Sequence, residues 1–133
     1  VLRLEDFRGK PLLVDIWASW CAPCVAALPV MERMAVEFRG QGLAVLSLSI
    51  DRGGVPAALR AYHRMGITQL PLHLGHPDRV TAAFAVKSLP TTLLFDAGGR
   101  EFARFTGGAA VPPDRLRAAI LDLLRGMRHQ AKD

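Results

Sequence analysis

The chain has 133 residues, half of them apolar, so it can bury one core of ordinary size and is predicted to form one domain over residues 1–133. Its formal net charge is +5, but the arginines are scattered along the whole chain without a basic run, which argues against a nucleic-acid-binding surface. No apolar run approaches the roughly 18 residues of a membrane span, and no signal peptide is recognisable.

The first predicted elements are a strand and a helix that meet at the two cysteines. Residues 12–17 form a short apolar run interrupted only by Asp15, which is typical of a buried strand. Pro23 suits the first turn of a helix, and apolar residues continue at helical spacing as far as Phe38. Pro29 predicts a kink within this helix.

Strands and helices continue to alternate through the middle of the chain. Residues 43–50, LAVLSLSI, predict a second strand, and residues 56–65 a second helix. A short strand over residues 70–74 and a short helix over residues 78–84 are expected next.

The last part of the chain predicts a hairpin and a closing helix. Residues 91–95, TTLLF, form a strand that a DAGG turn joins to a strand over residues 101–105. Residues 113–125 predict an amphipathic helix. The whole order favours an α/β fold with a central mixed sheet flanked by helices.

Cys21 and Cys24 are predicted to lie where the first strand passes into the first helix. At a helix N-terminus the free N–H groups and the helix dipole stabilise a thiolate, so the pKa of Cys21 should be lowered. Cys24, one turn further along, should be more buried. This arrangement suits thiol–disulfide exchange, in which Cys21 attacks a disulfide and Cys24 resolves the mixed disulfide.

Two other interpretations of the cysteines remain. They could be small buried core residues, or half of a zinc site completed by His63, His73, His76 or His129. His73 and His76 lie in a stretch that looks like a loop, but their spacing is not the usual one for zinc. No metal is therefore expected.

Two segments resemble the thioredoxin superfamily. VDIWASWCAPC, residues 14–24, resembles the active-site stretch of that family, and SLPTTLLFD, residues 88–96, resembles its second signature. The resemblance extends over about residues 4–124 and implies a thioredoxin fold, with a cis peptide bond before Pro90 that faces the cysteines. The matching positions of the first segment are Asp15, Trp17, Ala18, Trp20, Cys21, Pro23 and Cys24.

Residues 52–84 provide more chain than a plain thioredoxin has, with room for an inserted helix and strand. This insert and the opening LEDFRGKPLLVDIWASWC resemble the TlpA-like and ResA-like group of extracytoplasmic bacterial thioredoxins. That resemblance implies a monomeric reductant of specific protein disulfides, for example in cytochrome c or copper-site assembly. No bound cofactor and no nucleic acid are expected beside the redox-active disulfide, and electrons would come from an upstream dithiol protein in the membrane.

The same resemblance implies a periplasmic or otherwise extracytoplasmic location with a membrane tether. Because the sequence begins with Val1 rather than Met, the tether is expected to lie in a segment that the sequence does not contain.

Three positions depart from the patterns of these relatives. Ala27 stands where many ResA-like proteins have glutamate, Asp15 where many have asparagine, and Ser47 where thioredoxin has a lysine. An aspartate between Val14 and Ile16 should be buried, which would raise its pKa and let it exchange a proton with Cys24. The alternative is a solvated Asp15 at a strand edge.

Substrate contacts are predicted around the cysteines. Trp20 is expected to be exposed for docking, whereas Trp17 should belong to the core. The backbone at Leu89 should pair with an extended substrate segment. The remaining candidates for substrate binding or close backbone approach are Ala22, Pro23, Pro90, Gly107 and Gly108.

Two functions of other classes remain as alternatives to disulfide exchange. A peroxiredoxin-like peroxidase shares this fold, although ASWCAPC offers no Pro/Thr-containing peroxidatic loop. A copper-binding assembly module would use both thiolates as ligands. A peroxidase assay and the metal content of the reduced protein distinguish these alternatives.

Overall fold

A computed structural model describes residues 4–106 and 112–132 of the chain. After a short 3-10 turn at Leu4–Phe7, the elements in chain order are β1 (Leu12–Trp17), α1 (Ala22–Glu37), β2 (Ala44–Ser49), α2 (Gly54–Met65), β3 (Leu72–Leu74), α3 (Pro77–Ala83), β4 (Thr91–Phe95), β5 (Glu101–Thr106) and α4 (Pro113–Lys132). Every strand and helix predicted from the sequence is present.

The five strands form one mixed sheet in the order β3-β2-β1-β4-β5. β1 pairs in parallel with β2, and β2 with β3, whereas β4 runs antiparallel to both β1 and β5. The expected α/β architecture with a central mixed sheet is therefore confirmed. β1 is the central strand, and α1 follows its carboxyl end. The two cysteines therefore lie at the carboxyl end of the central strand.

Hydrophobic cores cover both faces of the sheet. Successive side chains of a strand alternate between the faces, so Leu13 and Trp17 pack with α1, α2 and α4 on one side, and Val14 and Ile16 pack with Val80 of α3 on the other. A strand that is covered on both faces has a nearly continuous apolar sequence, which explains the composition of β1.

Several element bounds differ from the expectations. α4 extends beyond residue 125, where Met127 still packs against the core. α1 continues past Pro29 as expected, and the kink at Pro29 stays a prediction. β3 is shorter than expected because its pairing with β2 begins only at Leu72, after Pro71, which has no N–H to donate. The placement of His73 in a loop was wrong, since it lies within β3.

The segment predicted as an insert, residues 52–84, contains α2, β3 and α3 and forms the β3 edge of the sheet. A single domain over residues 1–133 stays a prediction. Among the helices of the described residues, none combines the length and apolar character that crossing a membrane requires.

Candidate active site around Cys21 and Cys24

Cys21 is the N-cap residue of α1, and Cys24 lies in the first turn of that helix. Their side chains form a disulfide, with the two Cα atoms 5.2 Å apart. The backbone N–H of Cys24 donates to the sulfur of Cys21 at 3.3 Å, so the N-terminal end of the helix is directed at that sulfur. Pro23, the second residue of α1, costs no helical hydrogen bond, because the N–H groups of a first turn have no partner within the helix.

The two cysteines differ in their access to solvent. Cys21 keeps 9% of its surface exposed and Cys24 none, which confirms that Cys24 is the more buried. Trp20 is 71% exposed, while Trp17 is fully buried, as predicted for both. Of the two cysteines, Cys21 is therefore the more accessible to a partner.

The peptide bond between Leu89 and Pro90 is cis, as the resemblance implied. It lies immediately before β4, and Leu89 lines a groove of about 410 Å³ together with Trp20, Cys21 and Lys87. The structure thus brings Trp20, Cys21 and Leu89 together, although they are far apart in sequence. Ala22, Pro23 and Pro90 do not line this groove.

Asp15 is fully buried in β1, so the alternative of a solvated carboxylate was wrong. Its Oδ1 accepts a hydrogen bond from the Thr92 hydroxyl at 3.2 Å, and its Oδ2 has no partner among the described residues. Burial raises the pKa of Asp15 to about 7, and the hydrogen bond from Thr92 acts in the opposite direction. Side-chain alternation places Asp15 on the same face of the sheet as the core that contains Cys24.

Ser47 of β2 is the register partner of Asp15, as expected for the residue in the lysine position. The hydroxyl of Ser47 forms a hydrogen bond with that of Tyr62, with the two oxygens 2.5 Å apart. The sequence did not reveal this contact. Tyr62 stacks on Trp17 with ring centroids 5.9 Å apart, and burial raises the pKa of Tyr62. Nothing in the helical pattern of residues 56–65 indicated this contact.

Asp51 holds the loop that precedes Cys21. Ser19 donates its backbone N–H to both carboxylate oxygens at 3.0 Å and its hydroxyl to Oδ1 at 2.6 Å. Ser49 donates its hydroxyl to Oδ2 at 2.6 Å. The available signal was the position of Asp51 two residues after β2, because the carboxyl ends of the parallel strands β1 and β2 lie at the same end of the sheet.

Gly107 and Gly108 lie outside the described residues, as does the side chain of His129. In the part of the chain that the structure describes, no three His, Cys, Asp or Glu side chains form a group that could hold a metal ion.

Comparison with known proteins places these features in a family. The sequence profile of the AhpC/TSA family matches residues 1–100. The thiol-disulfide oxidoreductase ResA of Geobacillus thermodenitrificans is 32% identical over 105 residues, which are 79% of this chain and 59% of that protein. ResA of Bacillus subtilis is 26% identical over 106 residues, covering 80% and 58%. The chain thus spans less than two thirds of the length of these relatives.

Solved structures show the same fold. A thiol:disulfide interchange protein DsbE from Chlorobium tepidum superposes with a TM-score of 0.82 at 25% identity, over 92% of this chain and 86% of that one. The exposed lipoprotein thioredoxin of Streptococcus pneumoniae gives 0.74 at 26% identity, over 94% and 90%. With its mixed sheet, its disulfide at the start of α1 and the profile match over residues 1–100, the chain belongs to the AhpC/TSA family of thioredoxin-fold proteins.

Proposed function

We propose that this chain is a thiol–disulfide oxidoreductase that reduces disulfides of partner proteins through Cys21 and Cys24. The observation that carries the proposal is the asymmetry of the pair, with Cys21 at the N-cap of α1 and near the surface, and Cys24 buried one turn behind it. The names of the ResA and DsbE relatives support the same reaction.

The reaction begins when the Cys21 thiolate attacks one sulfur of the partner disulfide. One partner thiolate leaves and takes a proton from water, and Cys21 is joined to the other partner sulfur. The N–H of Cys24 points at the Cys21 sulfur, so it can stabilise negative charge on that sulfur in the attacking thiolate.

The second step needs a base, because Cys24 must lose its proton before it can attack the Cys21 sulfur. Asp15 takes this proton, directly or through a water molecule, and releases it to solvent afterwards. A carboxylate with a pKa of about 7 suits proton transfer near neutral pH. When the Cys24 thiolate attacks the Cys21 sulfur, the bond from Cys21 to the partner breaks, and the second partner thiolate leaves and takes a proton from water. In total the partner gains two electrons and two protons, and the Cys21–Cys24 disulfide forms.

Substrate binding uses the groove beside the disulfide. Trp20 offers exposed apolar surface, and the backbone at Leu89 pairs with an extended segment of the partner on the other side of Cys21. Pro90 holds the turn that presents Leu89, while Ala22 and Pro23 set the spacing of the two sulfurs.

The disulfide itself is the redox centre in this proposal, and no further cofactor takes part. Electrons return from an upstream dithiol protein, which we place in the membrane. An extracytoplasmic location with a membrane tether is part of the proposal, and one relative is described as an exposed lipoprotein thioredoxin. Assembly of cytochrome c or of a copper site is the proposed context.

Trapping of the partner tests the proposal. A Cys24→Ser variant expressed in its native setting should accumulate mixed disulfides through Cys21, which mass spectrometry identifies. A Cys21→Ser variant is the matched control and should trap nothing. If the pre-reduced protein consumed hydrogen peroxide readily and left protein disulfides intact, the peroxidase alternative would replace this function.

A further inference from the structure

A second groove begins at the active-site loop. It has a volume of about 500 Å³ and is lined by Ser19, two residues before Cys21, and by one side of α2. The charged or ionisable residues among its lining are Arg60, His63 and Arg64, and all three are exposed. Leu59, which is half exposed, adds an apolar part to its wall.

The two arginines of this groove have no ion-pair partner among the described residues. Residues 52–77 contain no aspartate or glutamate, although they contain three arginines. None of the ion pairs within the described residues involves Arg60 or Arg64. Asp51, the carboxylate nearest in sequence, is buried, accepts hydrogen bonds from Ser19 and Ser49, and forms no ion pair with either arginine.

The groove beside Cys21, described above, also carries positive charge. Lys87 is the charged residue in its lining, which also includes Trp20, Cys21 and Leu89. A partner segment that occupies both grooves therefore meets positive charge in each of them. The nearby acidic residue Asp78 is paired with Arg52 at 3.7 Å.

We propose that the groove of Ser19, Leu59, Arg60 and Arg64 binds an acidic segment of the partner protein whose disulfide Cys21 attacks. This inference rests on the proposed function and specifies its substrate class. The acidic segment takes no part in the electron transfer, in which the partner disulfide is reduced as the Cys21 and Cys24 thiols are oxidised. Exposed ion pairs add little affinity, so the main effect is faster and more selective encounter.

Two synthetic peptides of equal length test the inference. Each has one cysteine joined by a disulfide to 2-mercaptoethanol, with aspartates on both sides of it in one peptide and lysines in the other. Pre-reduced protein, freed of reductant, should reduce the aspartate peptide about tenfold faster or more at low salt. The ratio should shrink at 1 M salt, where the screening length is about 3 Å.

Charge reversal at two places shows whether the groove is responsible. Arg60→Glu combined with Arg64→Glu should abolish or invert the preference. Arg8→Glu combined with Arg100→Glu makes the same change of net charge at the opposite end of the sheet, where β1 begins and β4 ends, and should retain it. Arg60→Gln combined with Arg64→Gln removes the two positive charges without adding negative ones, and it should also weaken the preference for the aspartate peptide.

The possible failures are distinguishable. Equal rates for the two peptides, or the same loss of preference in the Arg8 and Arg100 variant, would overturn the inference and leave the proposed function intact. Bis(2-hydroxyethyl) disulfide, which carries no charge, reports disulfide exchange by itself. If the unmodified protein reduced neither this compound nor either peptide, the proposed function would be refuted and the inference with it.

Discussion

Asp15 lies in an environment that is unusual for an aspartate. Its carboxyl group is fully buried, and the single hydrogen bond from Thr92 replaces only part of its hydration. Burial therefore favours the protonated form, and both stability and reactivity should depend on pH around this one group.

Stability should fall as the pH rises through the interval between the two pKa values of Asp15. The pKa is about 7 in the folded chain and 3.8 without burial, so the folded state holds an extra proton between these values. One pKa unit corresponds to about 1.4 kcal/mol, and the full loss should reach a few kcal/mol above pH 7. Asp15→Asn should lose this dependence and be at least as stable at pH 8.

Urea unfolding at a series of pH values measures the effect, and Asp122→Asn, a change of an exposed aspartate, is the control. An Asp15→Asn variant with the pH dependence of the unmodified protein would show that Asp15 is not the titrating group.

The same variant should resolve mixed disulfides slowly. Without the Asp15 carboxylate, Cys24 loses its proton acceptor, and the resolution rate should decrease by up to about 100-fold. In the unmodified protein that rate should increase with pH around 7, as Asp15 loses its proton. Stopped-flow measurement of the release step from a mixed disulfide at Cys21 checks both, and initial attack by Cys21 serves as the internal control.

The two thiols should differ in reactivity. Iodoacetamide should modify Cys21 of the reduced protein much faster than Cys24 at mildly acidic pH, because Cys21 is more exposed and faces the N-terminus of α1. Peptide mapping by mass spectrometry gives the two rates. Preferential labelling of Cys24 would reverse the assignment of attacking and resolving cysteine.

At the scale of elements, Glu32 of α1 forms hydrogen bonds with the backbone of the segment that leads into β3. One oxygen of its carboxylate, Oε2, accepts three backbone N–H groups, from Thr68 at 2.8 Å, Gln69 at 2.7 Å and Leu70 at 3.2 Å. A single side chain thus connects the first helix with the edge of the sheet.

Glu32→Ala should lower the free energy of unfolding by about 1–3 kcal/mol, because it leaves three backbone donors without their acceptor. Glu37→Ala on the same helix is the matched control. It removes an exposed ion pair with Arg117 and should change the free energy by about 1 kcal/mol or less. Chemical denaturation compares them, and equal effects would show that the Glu32 contacts contribute no more than a surface pair.

At the scale of the whole molecule, cores on both faces of the sheet hold the fold together. The disulfide joins residues only three positions apart, so it constrains little of the unfolded chain. This separation allows the redox state of the site to change while the fold is retained.

Reduction should therefore lower the free energy of unfolding by only about 2 kcal/mol or less. Guanidinium unfolding of the oxidised and the reduced protein measures the difference, with Cys21→Ser combined with Cys24→Ser as a reference that cannot form the disulfide. Loss of cooperative unfolding on reduction would contradict this expectation.

The sequence by itself determined the order of the elements and the identity of the redox pair. β1 and β4 have the predicted bounds, because a short apolar run between polar or turn residues is a local signal. The positions of Cys21 and Cys24 at the start of a helix and the burial of Asp15 follow from their immediate neighbours. Local patterns sufficed here because each depends on a few consecutive residues.

Only the tertiary structure decided which side chains meet across the sheet. The contact of Tyr62 with Ser47, the bonds from Ser19 to Asp51 and the approach of Arg60 to the active-site loop all join residues that are distant in sequence. Helical and strand periodicity indicates which face of an element is buried but not which element covers it. Those contacts depend on the strand order β3-β2-β1-β4-β5 and on the packing of α2 beside β2, which are set when the apolar faces of all elements are buried together.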